Sequence, residues 1–188
     1  LQHPNLHFHK YSDVIEVADG IDLHVLSIVD PENWQEELPS DRVNIALYHG
    51  SVVGSVTDTG WMMTHGDIDL DTLEKYDYGL LGDIHKTKQK VDTDGRAMYP
   101  GSLVQQNHGE TNDKGYLIWE IQDKNNWATR HVSLRNPKPF ITIELTRKGR
   151  MPKNISIPTG ARLRLVSNNN LPLDVMRRAV EIAKHRFK

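Results

Sequence analysis

The chain has 188 residues and contains no cysteine. A disulfide framework, a thiolate zinc site and a cysteine nucleophile are therefore all excluded. A bound metal ion would have to be held by His, Asp, Glu or Asn side chains or by water. Ten histidines and 25 acidic residues are available for this.

Long apolar runs and a large net charge are also missing. No run approaches the roughly 18 apolar residues of a membrane span, and the N-terminal residues lack the basic and apolar regions of a secretory leader. The 23 Lys and Arg residues nearly balance the 25 acidic residues, which leaves a net charge of -2. We therefore expect a soluble, cytoplasmic protein whose affinity for nucleic acid would come only from a local basic patch.

Short apolar runs between turn formers predict a sheet. The strand over residues 43–48 ends in His49, and the strand over 78–81 runs into Gly82-Asp83-Ile84-His85. Gly20 predicts a hairpin turn, and a short helix capped near Asp69 is predicted over residues 67–76. The predicted strands cover residues 13–17, 21–29, 43–48, 78–81, 115–121, 127–134, 140–146 and 161–166.

The segment Asn136-Pro137-Lys138-Pro139 predicts a stiff connector between two domains, residues 1–136 and 137–188. The second domain is basic and is predicted to end in an amphipathic helix over residues 172–187. Its Arg162 and Arg164 alternate with apolar residues along one strand, which makes them candidates for contacting DNA phosphates. A charged face in contact with water is the alternative interpretation of the same residues.

Three polar residues are expected to converge at one edge of the sheet. Residues beyond the carboxyl ends of neighbouring strands share an edge, so His49, Asp83 and His85 can meet although they are far apart in sequence. Imidazole nitrogen and carboxylate oxygen together suit Mn, Fe or Zn. Alternatively, His49 caps its strand and Asp83 binds loop amides, and the pattern alone leaves both interpretations open.

Four segments resemble the C-terminal half of SbcD-type nucleases, and most closely the phage recombination subunits. SbcD-type nucleases are calcineurin-like metallophosphoesterases of double-strand-break repair. The first three occur in the family's order and at plausible distances. The fourth looks like the start of the family's DNA-binding capping domain and extends the resemblance over nearly the whole chain. The four segments are Leu47-Tyr48-His49-Gly50, residues 76–86, residues 99–107 and residues 157–165.

The resemblance implies an α/β (α+β) fold: the C-terminal portion of a metallophosphoesterase β-sandwich flanked by helices, followed by the start of a small α/β capping domain that binds DNA. It implies a site for two divalent ions, usually Mn²⁺. His49 matches the isolated histidine ligand and His85 the second histidine of Gly-His-x-His, while Asp83 replaces the first. Tyr99 and Ser102 fall in a loop adjacent to the phosphate.

The resemblance also implies a function and partners. The function is exonuclease or endonuclease cleavage of DNA in repair and recombination, and the partners are DNA, an SbcC-like SMC-type ATPase and a second copy of the subunit. The family's early Asp-x-His, Gly-Asp-x-x-Asp and Gly-Asn-His-Glu motifs do not precede Val43, so we expect this chain alone to be inactive. A non-catalytic DNA-binding scaffold and a phosphodiesterase for small phosphoesters are the alternatives.

Overall fold

A computed structural model describes residues 6–187 and divides the chain into two compact units. Unit 1 comprises Leu1–Ser102 and Gly115–Ser133, and unit 2 comprises Leu103–Lys114 and Leu134–Lys188. The two domains inferred from the proline-rich connector, 1–136 and 137–188, stay a prediction.

Strands outnumber helices among the described residues. The helices are α1 (Asp71–Glu74) and α2 (Leu173–Arg186), and a single 3-10 turn spans Pro31–Asn33. Helix α1 begins after Leu70 without a side-chain cap, so the predicted cap at Asp69 is wrong. All eight predicted strands are confirmed, with ends that differ by at most a few residues. The strands are β1 (Asp13–Ala18), β2 (Ile21–Leu26), β3 (Val43–His49), β4 (Tyr78–Gly82), β5 (Gln89–Lys90), β6 (Ala97–Tyr99), β7 (Gly115–Ile121), β8 (Trp127–Ser133), β9 (Phe140–Glu144) and β10 (Arg162–Val166).

Unit 1 is built on a six-stranded sheet in the order β1-β2-β3-β4-β6-β5. The outer pairs β1/β2 and β5/β6 are antiparallel. The central strands β2, β3, β4 and β6 run parallel to one another. Gly20 has a φ of +72° at the β1–β2 turn, which confirms the predicted hairpin. The parallel centre matters for function because it brings the carboxyl ends of β3 and β4 to one edge.

Both faces of this sheet carry apolar side chains, because successive residues of a strand point to opposite sides. One face buries Ala46, Tyr48 and Tyr99. The opposite face buries Tyr78 among several partly buried side chains, including Trp119 of the β7–β8 hairpin. The Tyr78 hydroxyl donates a hydrogen bond to the Asp123 carbonyl at 2.7 Å, which anchors the hairpin turn.

Unit 2 pairs β9 with β10 in parallel and adds α2. Its loop 103–110 is fixed by Gln105, whose side-chain oxygen accepts a hydrogen bond from the Phe140 backbone nitrogen at 2.8 Å. The same side chain donates to the Phe140 carbonyl at 3.1 Å. A glutamine therefore satisfies the backbone of β9 where a further strand would otherwise pair.

The predicted metallophosphoesterase β-sandwich flanked by helices is wrong. The described residues form one six-stranded sheet and two two-stranded sheets, with only the four-residue α1 and the 14-residue α2 as α-helices. The long connection from β3 to β4 shows why. Besides the four-residue α1, it holds isolated bridges, Val52 with Ile68 and Val56 with Met62, where a longer crossover helix would be expected. Valines and glycines disfavour helix in this segment.

Within residues 6–187, no helix combines the length and the apolar character needed to cross a bilayer.

Candidate metal-binding site at the ends of β3 and β4

Two predicted ligands lie close together where neighbouring parallel strands end. Strand β3 ends at His49, and β4 ends at Gly82, immediately before Asp83. His49 is the register partner of Gly82. Both polar side chains therefore leave the same edge of the sheet, and His49 Nε2 lies 4.0 Å from Asp83 Oδ1.

The pair suits a divalent ion by its chemistry and spacing. The side chains of His49 and Asp83 are 81% and 46% exposed, so a dissolved ion can reach them. Metal–ligand bonds to nitrogen and oxygen are roughly 2.0–2.2 Å long, so one ion can contact two atoms that lie 4.0 Å apart. Imidazole with carboxylate is a donor set that Mn²⁺, Fe²⁺ and Zn²⁺ accept. An ion bound between them would have the two atoms on nearly opposite sides, so the two residues can supply two ligands of a metal site.

Asp83 has an unusual backbone conformation. Its φ is +96°, in the left-handed region that a side chain makes costly. The conformation turns the chain sharply out of β4. It also breaks the alternation that would have pointed Asp83 and His85 in the same direction.

His85 is not gathered into one group with the other two predicted ligands. Its side chain is half-buried, and its carbonyl accepts a hydrogen bond from the Ser102 backbone nitrogen at 3.4 Å. Among the residues that the structure describes, no three His, Asp or Glu side chains form a group able to hold an ion. The structure thus brings together two of the three predicted ligands.

A buried tyrosine fixes the turn that follows His49. Tyr99 is 0% exposed. Its hydroxyl donates to the Gly50 carbonyl at 2.7 Å and accepts from the Val52 backbone nitrogen at 2.9 Å. Burial raises the pKa of Tyr99 above its ordinary value, which keeps the hydroxyl protonated and able to donate. The structure places Tyr99 under the turn, and its expected place beside the phosphate stays a prediction.

A carboxylate holds the same turn from another direction. The backbone nitrogen and the hydroxyl of Ser51 both donate to Asp67 Oδ2 at 2.7 Å. These hydrogen bonds lower the pKa of Asp67. The Gly50 nitrogen also donates to the Gly82 carbonyl at 3.3 Å, which ties the turn to β4. No sequence pattern pointed to Asp67, since it pairs with a serine 16 residues away.

Ser102, the second residue expected beside the phosphate, is 8% exposed. Besides its bond to His85, it accepts a hydrogen bond at its carbonyl from the Gly115 nitrogen at 3.4 Å. These two hydrogen bonds fix the backbone of Ser102 in the segment that follows β6, next to the backbone of His85.

A cavity of about 630 Å³ lies along the sheet beside His49. Its apolar lining includes Leu47 and Leu80, and Leu47 is 40% exposed although it lies on a central strand. His9 also lines the cavity, and its Nδ1 lies 3.0 Å from Asp13 Oδ2. The imidazole of His49 therefore borders an open apolar surface on one side and Asp83 on the other.

Within unit 2, the two predicted phosphate-contacting arginines lie on one face of β10. The Arg162 guanidinium lies over the Phe140 ring at 4.7 Å. Arg164 donates from Nε to Thr142 Oγ1 at 3.1 Å. Both side chains remain exposed. Burial lowers the pKa of nearby His108, and the charge of Arg164 lowers it further. This face therefore presents two guanidinium groups, each fixed by a contact with β9, and a neutral imidazole.

Comparison with known proteins adds a similarity to a viral protein. No family model matches the chain. The chain is 30% identical over 149 residues to "Uncharacterized protein R555" of Acanthamoeba polyphaga mimivirus. The alignment covers 79% of this chain and 11% of the relative. The chain therefore spans about a tenth of the length of that curated relative, whose name gives no activity.

Proposed function

We propose that this chain is part of a metal-dependent DNA nuclease and that His49 and Asp83 supply two ligands of its divalent-metal site. The observation that carries the proposal is the 4.0 Å approach of an exposed imidazole and an exposed carboxylate at the ends of two parallel strands. Ligands on neighbouring strand ends share one edge, the usual place of sites in parallel sheets. Such a site does not require a β-sandwich flanked by helices, which the observed sheets exclude.

The four segments in order favour a nuclease subunit of the SbcD type. On this proposal the substrate is DNA, and the reaction is exonuclease or endonuclease hydrolysis of phosphodiester bonds during double-strand-break repair and recombination. The cofactor is a pair of Mn²⁺ ions. The partners are an SMC-type ATPase and a second copy of the subunit, and the compartment is the cytoplasm, that of the host if a phage encodes the chain.

The residues of the chain have separate tasks in this reaction. Mn²⁺, when bound, supplies polarisation of the phosphodiester and a hydroxide at neutral pH. His49 donates a nitrogen lone pair to the ion and Asp83 an oxygen. Tyr99 and Asp67 hold the turn that follows His49, which keeps the imidazole in position. Arg162 and Arg164 bind the phosphate backbone of the DNA. These contacts position the protein on the DNA but do not select a sequence.

Replacing Arg162 and Arg164 together by alanine is expected to weaken DNA binding and its dependence on salt. Each arginine that contacts a phosphate releases about one counterion, so the slope of log affinity against log salt should fall in magnitude by about 2. Fluorescence anisotropy with a labelled duplex at several salt concentrations measures this. The matched control is Arg178→Ala, because Arg178 is exposed on α2 and is paired with Asp174 at 2.6 Å. An unchanged slope in the double variant would contradict the assigned role.

The 188-residue chain alone is expected to leave linear duplex DNA intact in the presence of Mn²⁺. His49 and Asp83 supply only part of a two-ion site, and no three-ligand group occurs within residues 6–187. Gel analysis of end-labelled DNA over time checks this. Robust digestion that His85→Ala abolishes would show that the chain holds a complete site. Binding of DNA without any Mn²⁺ binding would instead favour the non-catalytic scaffold.

A further inference from the structure

The imidazole of His49 lies directly against the backbone of Gly82. The two residues are register partners across the parallel β3–β4 pair. A Cβ built on Gly82 would lie 2.6 Å from His49 Nδ1 and 3.4 Å from its Cε1. Real Cβ atoms do not approach other atoms to 2.6 Å, so the ring occupies the space that any other residue at position 82 would fill.

Backbone conformation does not explain a glycine at this position. Gly82 is absent from the glycines with positive φ, whereas Gly54, Gly60 and Gly101 adopt it. Alanine is therefore compatible with the backbone of residue 82. The missing side chain is what matters there, because it leaves room for the ring.

The contact also decides which nitrogen of His49 faces outward. Nδ1 lies against Gly82, whereas Nε2 is the nitrogen that lies 4.0 Å from Asp83 Oδ1. The ring is 81% exposed, and few contacts other than that with Gly82 restrain it. The orientation of this exposed ring therefore depends on one small residue.

We infer that Gly82 is a positioning residue of the proposed site, which directs His49 Nε2 toward Asp83 and the ion. The inference rests on the proposed function for its metal, but the orientation itself exists without metal. A side chain at position 82 pushes the ring off the end of β4 and separates the two ligands. It does so at small cost to folding, because the displaced atoms belong to an exposed side chain.

The test compares the full chain with its Gly82→Ala variant by NMR. In metal-free wild-type protein, the His49 ring protons are expected to show nuclear Overhauser contacts with the Gly82 α protons. The variant should lose these contacts and shift the His49 ring resonances, while those of the buried His24, which is hydrogen-bonded to Asn44 near the start of β3, stay in place. Mn²⁺ titration then follows paramagnetic broadening at His49, and the variant should need about tenfold more Mn²⁺.

A stability cycle guards against a variant that folds poorly. Any loss of stability in Gly82→Ala should disappear when His49→Ala is added, since the alanine at 49 removes the clash. A loss of equal size in both backgrounds would overturn the inference. So would unchanged ring resonances, or a displaced ring with unchanged Mn²⁺ affinity. If Mn²⁺ affects His49 in neither protein, the proposed function fails, while displacement of the ring in the metal-free spectra still supports the positioning role.

Discussion

Tyr99→Phe is expected to lower the free energy of unfolding by roughly 2 to 4 kcal/mol, although it removes only one oxygen atom. The Tyr99 hydroxyl bonds both the Gly50 carbonyl and the Val52 nitrogen. The variant leaves both backbone groups without this partner in a place that water does not reach. An unsatisfied buried donor or acceptor costs about 1 to 3 kcal/mol.

Urea denaturation measures the effect as a shift of the midpoint at constant slope. Tyr116→Phe is the matched control, because Tyr116 is 38% exposed on β7 and its hydroxyl makes no hydrogen bond within the described residues. That variant should lie within about 0.5 kcal/mol of the wild type, as surface substitutions usually do. Equal stability of the two variants would mean that water or a shifted backbone satisfies the turn.

Tyr99→Phe is also expected to make the position of the His49 side chain less well defined. Residues 50–52 follow the ligand directly, and their hydrogen bonds to Tyr99 and Asp67 hold the turn from two directions. A buried hydroxyl thus stabilises the fold and places an exposed imidazole at once.

The part of the site that follows from the order of strands was predictable. An apolar run that ends in His49 and another that precedes Asp83 indicate two buried strands whose ends meet, and the parallel pairing of β3 and β4 is what brings the two residues together. The rules that predict strands use only nearby residues and the pairing of neighbouring strands. They are therefore sufficient to predict that His49 and Asp83 meet and that Gly20 forms a hairpin turn.

The remaining features depend on contacts that no local pattern encodes. The Tyr99 hydroxyl bonds the backbone of Val52 and Gly50, which lie 47 and 49 positions earlier in the chain. The Asp67 carboxylate bonds Ser51, which lies 16 positions earlier. The positive φ of Asp83 turns the chain and removes His85 from the group that simple alternation predicts. The predicted layers of helices failed for a related reason, since the valines and glycines between β3 and β4 favour bridges and bends.

Replacing Asp83 is expected to separate the role of its carboxylate from the cost of its backbone. Asp83→Gly and Asp83→Ala both remove one of the two facing ligands, so both should weaken Mn²⁺ binding at His49. The loss should exceed about tenfold, which is the loss typical even for partners outside the ligand set. Paramagnetic broadening of the His49 ring resonances by Mn²⁺ measures it.

Stability should move differently in the same two variants. At a φ of +96° glycine carries no steric penalty, whereas alanine retains the strain and loses the polar side chain that makes Asp tolerant of this region. Asp83→Ala should therefore be less stable than Asp83→Gly by about 1 kcal/mol. Asp83→Asn, which keeps the backbone preference and removes the charge, is the control. If Mn²⁺ broadens His49 equally in all four proteins, Asp83 is not a ligand, and its strained backbone serves only to end β4.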